Sequence, residues 1–217
     1  MNVETLIACY PRLYHMAERD SWPSIKAHGL LSTRAVLDRA EVTGAERRAL
    51  EVEHRPTKVT VGQPGAQIVL RDQKPMFPDR LLDALIDGTT PSQWYEFLNA
   101  RVFMWAEEER LFGLLNAREY RGLEHDVLTI DTARLMARYA DQTMLCRMNS
   151  GNTFPMPHKR GMEAFKRIAD YPVKPRAGTP DPAVVEVVVD YSIPDIADYV
   201  VAVRRIQGRT VIGPLPL

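Results

Sequence analysis

A chain of 217 residues, 45% of them hydrophobic, is long enough to bury one substantial core. Its 28 lysines and arginines are balanced by 28 aspartates and glutamates, which argues against a broad polyanion-binding surface and leaves room for a local basic cleft at most. No run approaches a membrane span, MNVETLIACYPRLYH does not read as a secretory leader, and Cys9 and Cys146 share no metal-ligand spacing, so a cytoplasmic protein with two inert thiols is expected.

Residues 12–17 alternate as a short strand, with His15 between Leu13 and Ala17 on one face and Tyr14 and Met16 on the other. Ser21 or Asp20 caps a stubby helix that has Pro23 in its first turn and stops at Gly29. Helices are expected at TRAVLDRA and after Thr43, which forms a capping box with Glu46. TKVTVGQPGAQIVLRDQ reads as a hairpin turning around Gly62, Pro64 and Gly65. Helices follow at DRLLDALIDG and TPSQWYEFLN, the second capped by Thr90. The strand ARVFMWA then feeds a helix whose Glu107, Glu108 and Glu109 suit its N-terminal dipole.

Next come the strand HDVLTI, the helix DTARLMARYA, the strand QTMLCRM and the loop NSGNTFPMPHKR. A helix at GMEAFKRIA, a proline-rich extended stretch and strands at AVVEVVVD, DYVVAVRRI and RTVIG complete the chain. Strands and helices intermingle without a regular βαβ beat. The expectation is a single α+β domain over residues 1–217.

Several residues stand out chemically. In AVVEVVVD a two-residue period puts Ala183, Val185, Val187 and Val189 on one face and Glu186 on the other, between Val184 and Val188. Glu186 then lies either on the wet face of an edge strand or on the floor of a cleft. His15 is either a satisfied structural imidazole or a spatial partner for that late carboxylate. Arg71 ends an apolar strand, where it either reaches a phosphate or pairs with Asp72 or a neighbouring helix. Arg101, Phe103 and Trp105 share a strand face that is either core or a surface for stacking a planar ring. Asn149, Ser150 and Gly151 form a substrate loop or an ordinary turn. Lys159, Arg160, Lys166 and Arg167 line a cleft entrance or a solvated helix face. Phosphate-loop, dinucleotide-fold and nucleophile-elbow patterns are missing, and the five histidines lack metal-site spacing, so no metal is expected.

LYHMAERDSWPSIKAHGLLS resembles the opening of the ADP-ribosyltransferase fold as seen in DarT-like NAD-dependent toxins, and VEVVVDYSIPDIADYVVAV resembles its closing pattern. The likeness touches both ends of the chain; Met16 and Ala17 stand where DarT-like proteins often carry a hydroxyl. The resemblance implies split β-sheets with helices around an NAD cleft, NAD as substrate, Glu186 as the catalytic glutamate and His15 on a ribose. It also implies NAD contacts from Tyr14, Arg71, Arg101 and Trp105. The acceptor it implies is nucleic acid or protein, and the role a bacterial toxin or defence effector with an antitoxin partner. Two other readings stay open: an NAD-dependent RNA 2′-phosphotransferase, which wants cleft arginines together where the sequence scatters Arg71, Arg101 and Arg147, and a non-catalytic binding module.

Overall fold

Asparagine and a following acidic residue suit a helix start, and in the computed structural model the Asn2 side chain accepts the Thr5 amide at the head of α1 (Val3–Cys9). The structure describes residues 1–65 and 67–217; Ala66, within the expected hairpin, lies outside them. The alternating stretch forms β1 (Arg12–Glu18) and passes into α2 (Trp22–His28). Ser21 occupies the cap position of α2 without a side-chain bond; the buried Asp126 carboxylate accepts the Trp22 amide instead. Gly29 ends α2 with φ +87°, and a Cβ there would lie 2.5 Å from Pro194 Cα, so the turn needs glycine.

Next in order are β2 (Leu30–Leu31), α3 (Thr33–Arg39), α4 (Gly44–Val52), the hairpin β3 (Val59–Val61) and β4 (Ile68–Leu70), α5 (Pro78–Ala84) and α6 (Pro91–Asn99). They are followed by β5 (Arg101–Trp105), α7 (Glu108–Leu115), β6 (Glu124–Asp131), α8 (Thr132–Tyr139) and β7 (Thr143–Cys146). The chain closes through β8 (Phe165–Arg167), β9 (Glu186–Asp190), β10 (Ser192–Ile193), β11 (Val200–Gln207) and β12 (Thr210–Leu215). No helix among the described residues is long and apolar enough to cross a membrane.

The mixed α+β architecture is as expected. An eight-stranded sheet runs β12-β11-β6-β1-β5-β9-β7-β8, with every neighbouring pair antiparallel. Its two halves meet between β1 and β5, which share one registered pair, Tyr14 with Trp105. By contrast β1 pairs with β6 over its whole length. One face of the sheet (Leu13, Ala17, Met104, Leu128, Val187) packs under α1 and α8. On the other face, residues of α5 and α6 gather around Phe165 and Val188, while α7 covers Val127 and Ile206. Separate helices thus cover the two halves, and a cleft lies between them.

Four local expectations are corrected. GMEAFKRIA is no helix: short 3-10 turns flank β8, which pairs with β7 while Phe165 enters an aromatic cluster with Trp94, Phe97 and Phe103. Helical periodicity there gives way to tertiary pairing. The Thr43 side chain makes no cap bond, whereas the capping box of Thr90 and Gln93 forms in full. The late strand starts at Glu186, and Val184 packs with Val187 and Val189, so the strict alternation fails before the strand begins. Finally, β9 lies between β5 and β7, which removes the edge-strand reading of Glu186.

Candidate functional site

Two adjoining hollows of about 540 and 280 Å³ occupy the cleft, the larger within the range typical of small-molecule sites and the smaller just below it. His15, Met16, Thr33, Arg55, Arg71, Asp72, Arg101 and Phe103 border both and mark the waist between them. The larger hollow extends along α2 and β2 past Ser24, Gly29 and Leu31. The smaller ends at Glu186, Trp105 and the Asn149–Gly151 loop, between Leu98 of α6 and Leu114 of α7.

Glu186 is only 5% exposed. Its position at the start of an internal strand fixes its backbone against Trp105 on one side and Cys146 on the other. The Ser150 amide donates to both carboxylate oxygens at 3.2 Å. Burial pushes its pKa up to about 7, against the hydrogen bonds of Ser150 and the charge of Arg160, which pull it down. The carboxyl is therefore divided between its two protonation states near neutral pH.

The loop carrying Ser150 is held from beneath. The Arg160 guanidinium, almost fully buried, donates to the carbonyls of Ser150 (2.8 Å), Asn152 (2.8 Å) and His158 (3.0 Å). Arg160 thus belongs to the loop's foundation rather than to a basic entrance. The other members of that expected basic run are also engaged: Lys159 on the Asp83 carbonyl, Lys166 with Glu163 and Arg167 with Asp190. None of the four borders either hollow.

His15 stands where the two half-sheets meet. Its Nδ1 lies 2.7 Å from the Phe103 carbonyl, which can only accept, so Nδ1 carries the proton and Nε2 is an acceptor. Burial lowers its pKa to about 4, keeping the imidazole neutral. Arg71 follows β4 and borders both hollows; its Nη2 donates to His125 Nε2 at 3.4 Å, and its guanidinium lies 5.4 Å from the Tyr120 ring centre. The alternative pairing of Arg71 with Asp72 does not form: Arg71 lies 4.0 Å from the Glu18 carboxylate, and the Asp72 carboxylate accepts the Tyr120 hydroxyl at 2.8 Å.

Arg101 also borders the cleft, but it is tied to Asp190 at 3.0 Å, to the Phe97 carbonyl at 2.6 Å and over the Phe97 ring at 3.5 Å. Trp105 lies beside Glu186 in the smaller hollow. Tyr14 does not line the cleft: it packs with Trp105 and Phe112 around Leu111 on the α7 side.

One residue carried no signal in the sequence. Arg55, 7% exposed, donates to the carbonyls of Arg71 and Leu50 and to the side chains of Thr33 and Asn99. All of these acceptors are neutral, and among the described residues no carboxylate forms an ion pair with it. A buried guanidinium with no directly ion-paired carboxylate, only the more distant Asp72 charge acting on it, adds positive charge to the waist of the cleft, where an anion would be stabilised. Its sequence context, EHRPT, is an ordinary loop, so only the fold exposes this role.

Cys146 lies behind Glu186, its thiol pKa pushed up to about 12 by burial, as an inert thiol would be. Residues 11–200 match a family model described as a family of unknown function, DUF7002, so the chain belongs to that family. No curated protein matches it.

Proposed function

We propose that this member of the DUF7002 family is an NAD-dependent ADP-ribosyltransferase, with the split-sheet arrangement of that fold. The observation that carries the reading is the meeting of His15 and Glu186, on different halves of the sheet, at one hollow. Two hollows sharing an arginine-bordered junction suit a ligand with two nucleoside ends and a central diphosphate.

In this reading Arg55 and Arg71 hold the diphosphate, and His15 Nε2 accepts a hydrogen bond from a ribose hydroxyl. The bond between ribose C1′ and nicotinamide breaks, its electron pair leaving with nicotinamide. The acceptor's nucleophile then bonds to C1′ and releases its proton to solvent. Positive charge develops on the sugar as the bond breaks, and the Glu186 carboxylate, held by the Ser150 amide, stabilises it and orients the 2′-hydroxyl.

A second reading, an RNA 2′-phosphotransferase using NAD, is favoured by one observation: Arg55, Arg71 and Arg101 gather at the waist. Arg147, the other scattered arginine, does not border the cleft. Purified protein incubated with NAD, with and without nucleic acid or protein acceptors, tests the first reading by release of nicotinamide. Glu186→Gln should retain an NAD-induced thermal shift and lose turnover. Removal of a 2′-phosphate from RNA would select the second reading. No thermal shift and no turnover with any acceptor would leave a binding module.

A further inference from the structure

Phe77 and Phe154 are 47% and 54% exposed, and their ring centres lie 6.1 Å apart. Arg80 lies against both rings, at 5.8 and 5.0 Å, and donates to the Pro155 carbonyl. From this point residues 77–86 and 154–161 run side by side. Lys159 binds the Asp83 carbonyl, the Arg160 amide donates to the Ala84 carbonyl, and the Ile86 amide donates to the Arg160 carbonyl. Leu85 and Arg160 form a parallel bridge. The two segments therefore lie together and carry Phe77, Leu82, Ile86, Phe154 and Met156, all exposed to solvent, Met156 at 72%.

A group of exposed large apolar side chains gathered beside a cleft is a surface suited to a partner. It begins at the cleft: Pro75 and Met76 border the Glu186 hollow, and the Phe77 amide donates to Thr153 in the same loop region as Ser150. Its charges decide the class of partner. Asp79, Asp83 and Asp87 are exposed at a spacing of four residues, and among the described residues no cation pairs with their carboxylates. The three carboxylates outnumber the two nearby cations, Arg80 and Lys159, which keep their charge while donating to backbone carbonyls. A phosphate backbone meets repulsion here, whereas a segment mixing apolar and basic side chains finds both complements.

We infer that this face docks a protein segment of apolar and basic residues, delivering it to the Glu186 end of the cleft as the acceptor. The inference rests on the transferase reading for the fate of the segment, not for its docking. Anisotropy of a labelled leucine–lysine peptide tests it, with a leucine–glutamate peptide and single-stranded DNA and RNA as comparisons.

The leucine–lysine peptide should bind, and Leu82→Asp or Met156→Asp, both surface changes, should weaken it about tenfold or more. Asp79→Asn combined with Asp83→Asn should also weaken it at low salt, while the NAD-induced thermal shift stays unchanged. The inference is overturned if that peptide does not bind, if it binds the variants equally well, or if the glutamate peptide or a nucleic acid binds this face instead. Peptide binding without any NAD cleavage would overturn the transferase reading and leave the docking face standing.

Discussion

A glutamate among valines at the start of an internal strand is an expensive residue to keep. Burial lifts the Glu186 pKa from the usual 4.5 to about 7. The folded state holds this proton more tightly than the unfolded chain does. The stability the group contributes is therefore full below about 4.5 and lost as pH rises through about 7. Glu186→Gln should accordingly unfold at a higher temperature than the parent protein above neutral pH, and at nearly the same temperature under acid conditions. Differential scanning calorimetry at the two pH values checks this. If the carboxylate form supports turnover, the rate should rise with pH and level off above about 7. The same substitution should cost about 3 kcal/mol or more of transition-state stabilisation. Glu186 and His15 were legible as candidates because a polar residue within an apolar alternation is conspicuous. Arg55 was not, since nothing in a loop sequence reports that its side chain will be buried without a carboxylate.

The elements that position these residues depend on a few unusual local contacts. Gly29 has φ +87° and ψ 172°, a conformation open to glycine almost alone, and its Cα faces the Ile193–Pro194 backbone. Gly29→Ala should cost about 3 kcal/mol, lowering the thermal midpoint by roughly 10 °C for a domain of this size. Because Gly29 borders the larger hollow, binding of the proposed NAD substrate, read as a thermal shift, should weaken with it. Arg160→Ala removes three carbonyl contacts from the Ser150 loop and should cost about 3 kcal/mol. Arg160 and Ser150 both pull the Glu186 pKa down, so that variant should also move the midpoint of the pH–rate profile upward. A purely structural loss would leave the profile in place. The Thr90 cap was readable, whereas the capping box read at Thr43 and Glu46 does not form. The fate of GMEAFKRIA was not readable, because Phe165 is recruited by aromatic side chains that lie far away in sequence.

Across the whole molecule the decisive feature is the seam between half-sheets. β1 and β5 share a single registered pair, and the His15 imidazole bonds to the β5 carbonyl of Phe103. His125, on the adjacent β6, is fully buried beside Arg71. Burial first, and then the Arg71 charge for His125, lowers both imidazoles to about 4 from the usual 6.5. Unfolding frees both to protonate, so the stability they contribute is present above about 6.5 and is lost as pH falls towards 4. Glu186 works in the opposite direction, but one proton held by the folded state is outweighed by two taken up on unfolding. The urea midpoint should therefore fall across this window, and His15→Gln and His125→Gln should each flatten the slope.

The sequence by itself determined the α+β class, most of the element order and the identity of the two principal polar residues. These follow from alternation, capping chemistry and the cost of placing a polar group in an apolar run, all of which act over a few neighbouring residues. Tertiary structure alone decided that β9 is internal, that Tyr14 faces α7 and not the cleft, and that Arg55 joins Arg71 at the waist. Strand order and the burial of a loop side chain depend on segments distant in sequence, and local patterning carries no record of which distant segments will meet.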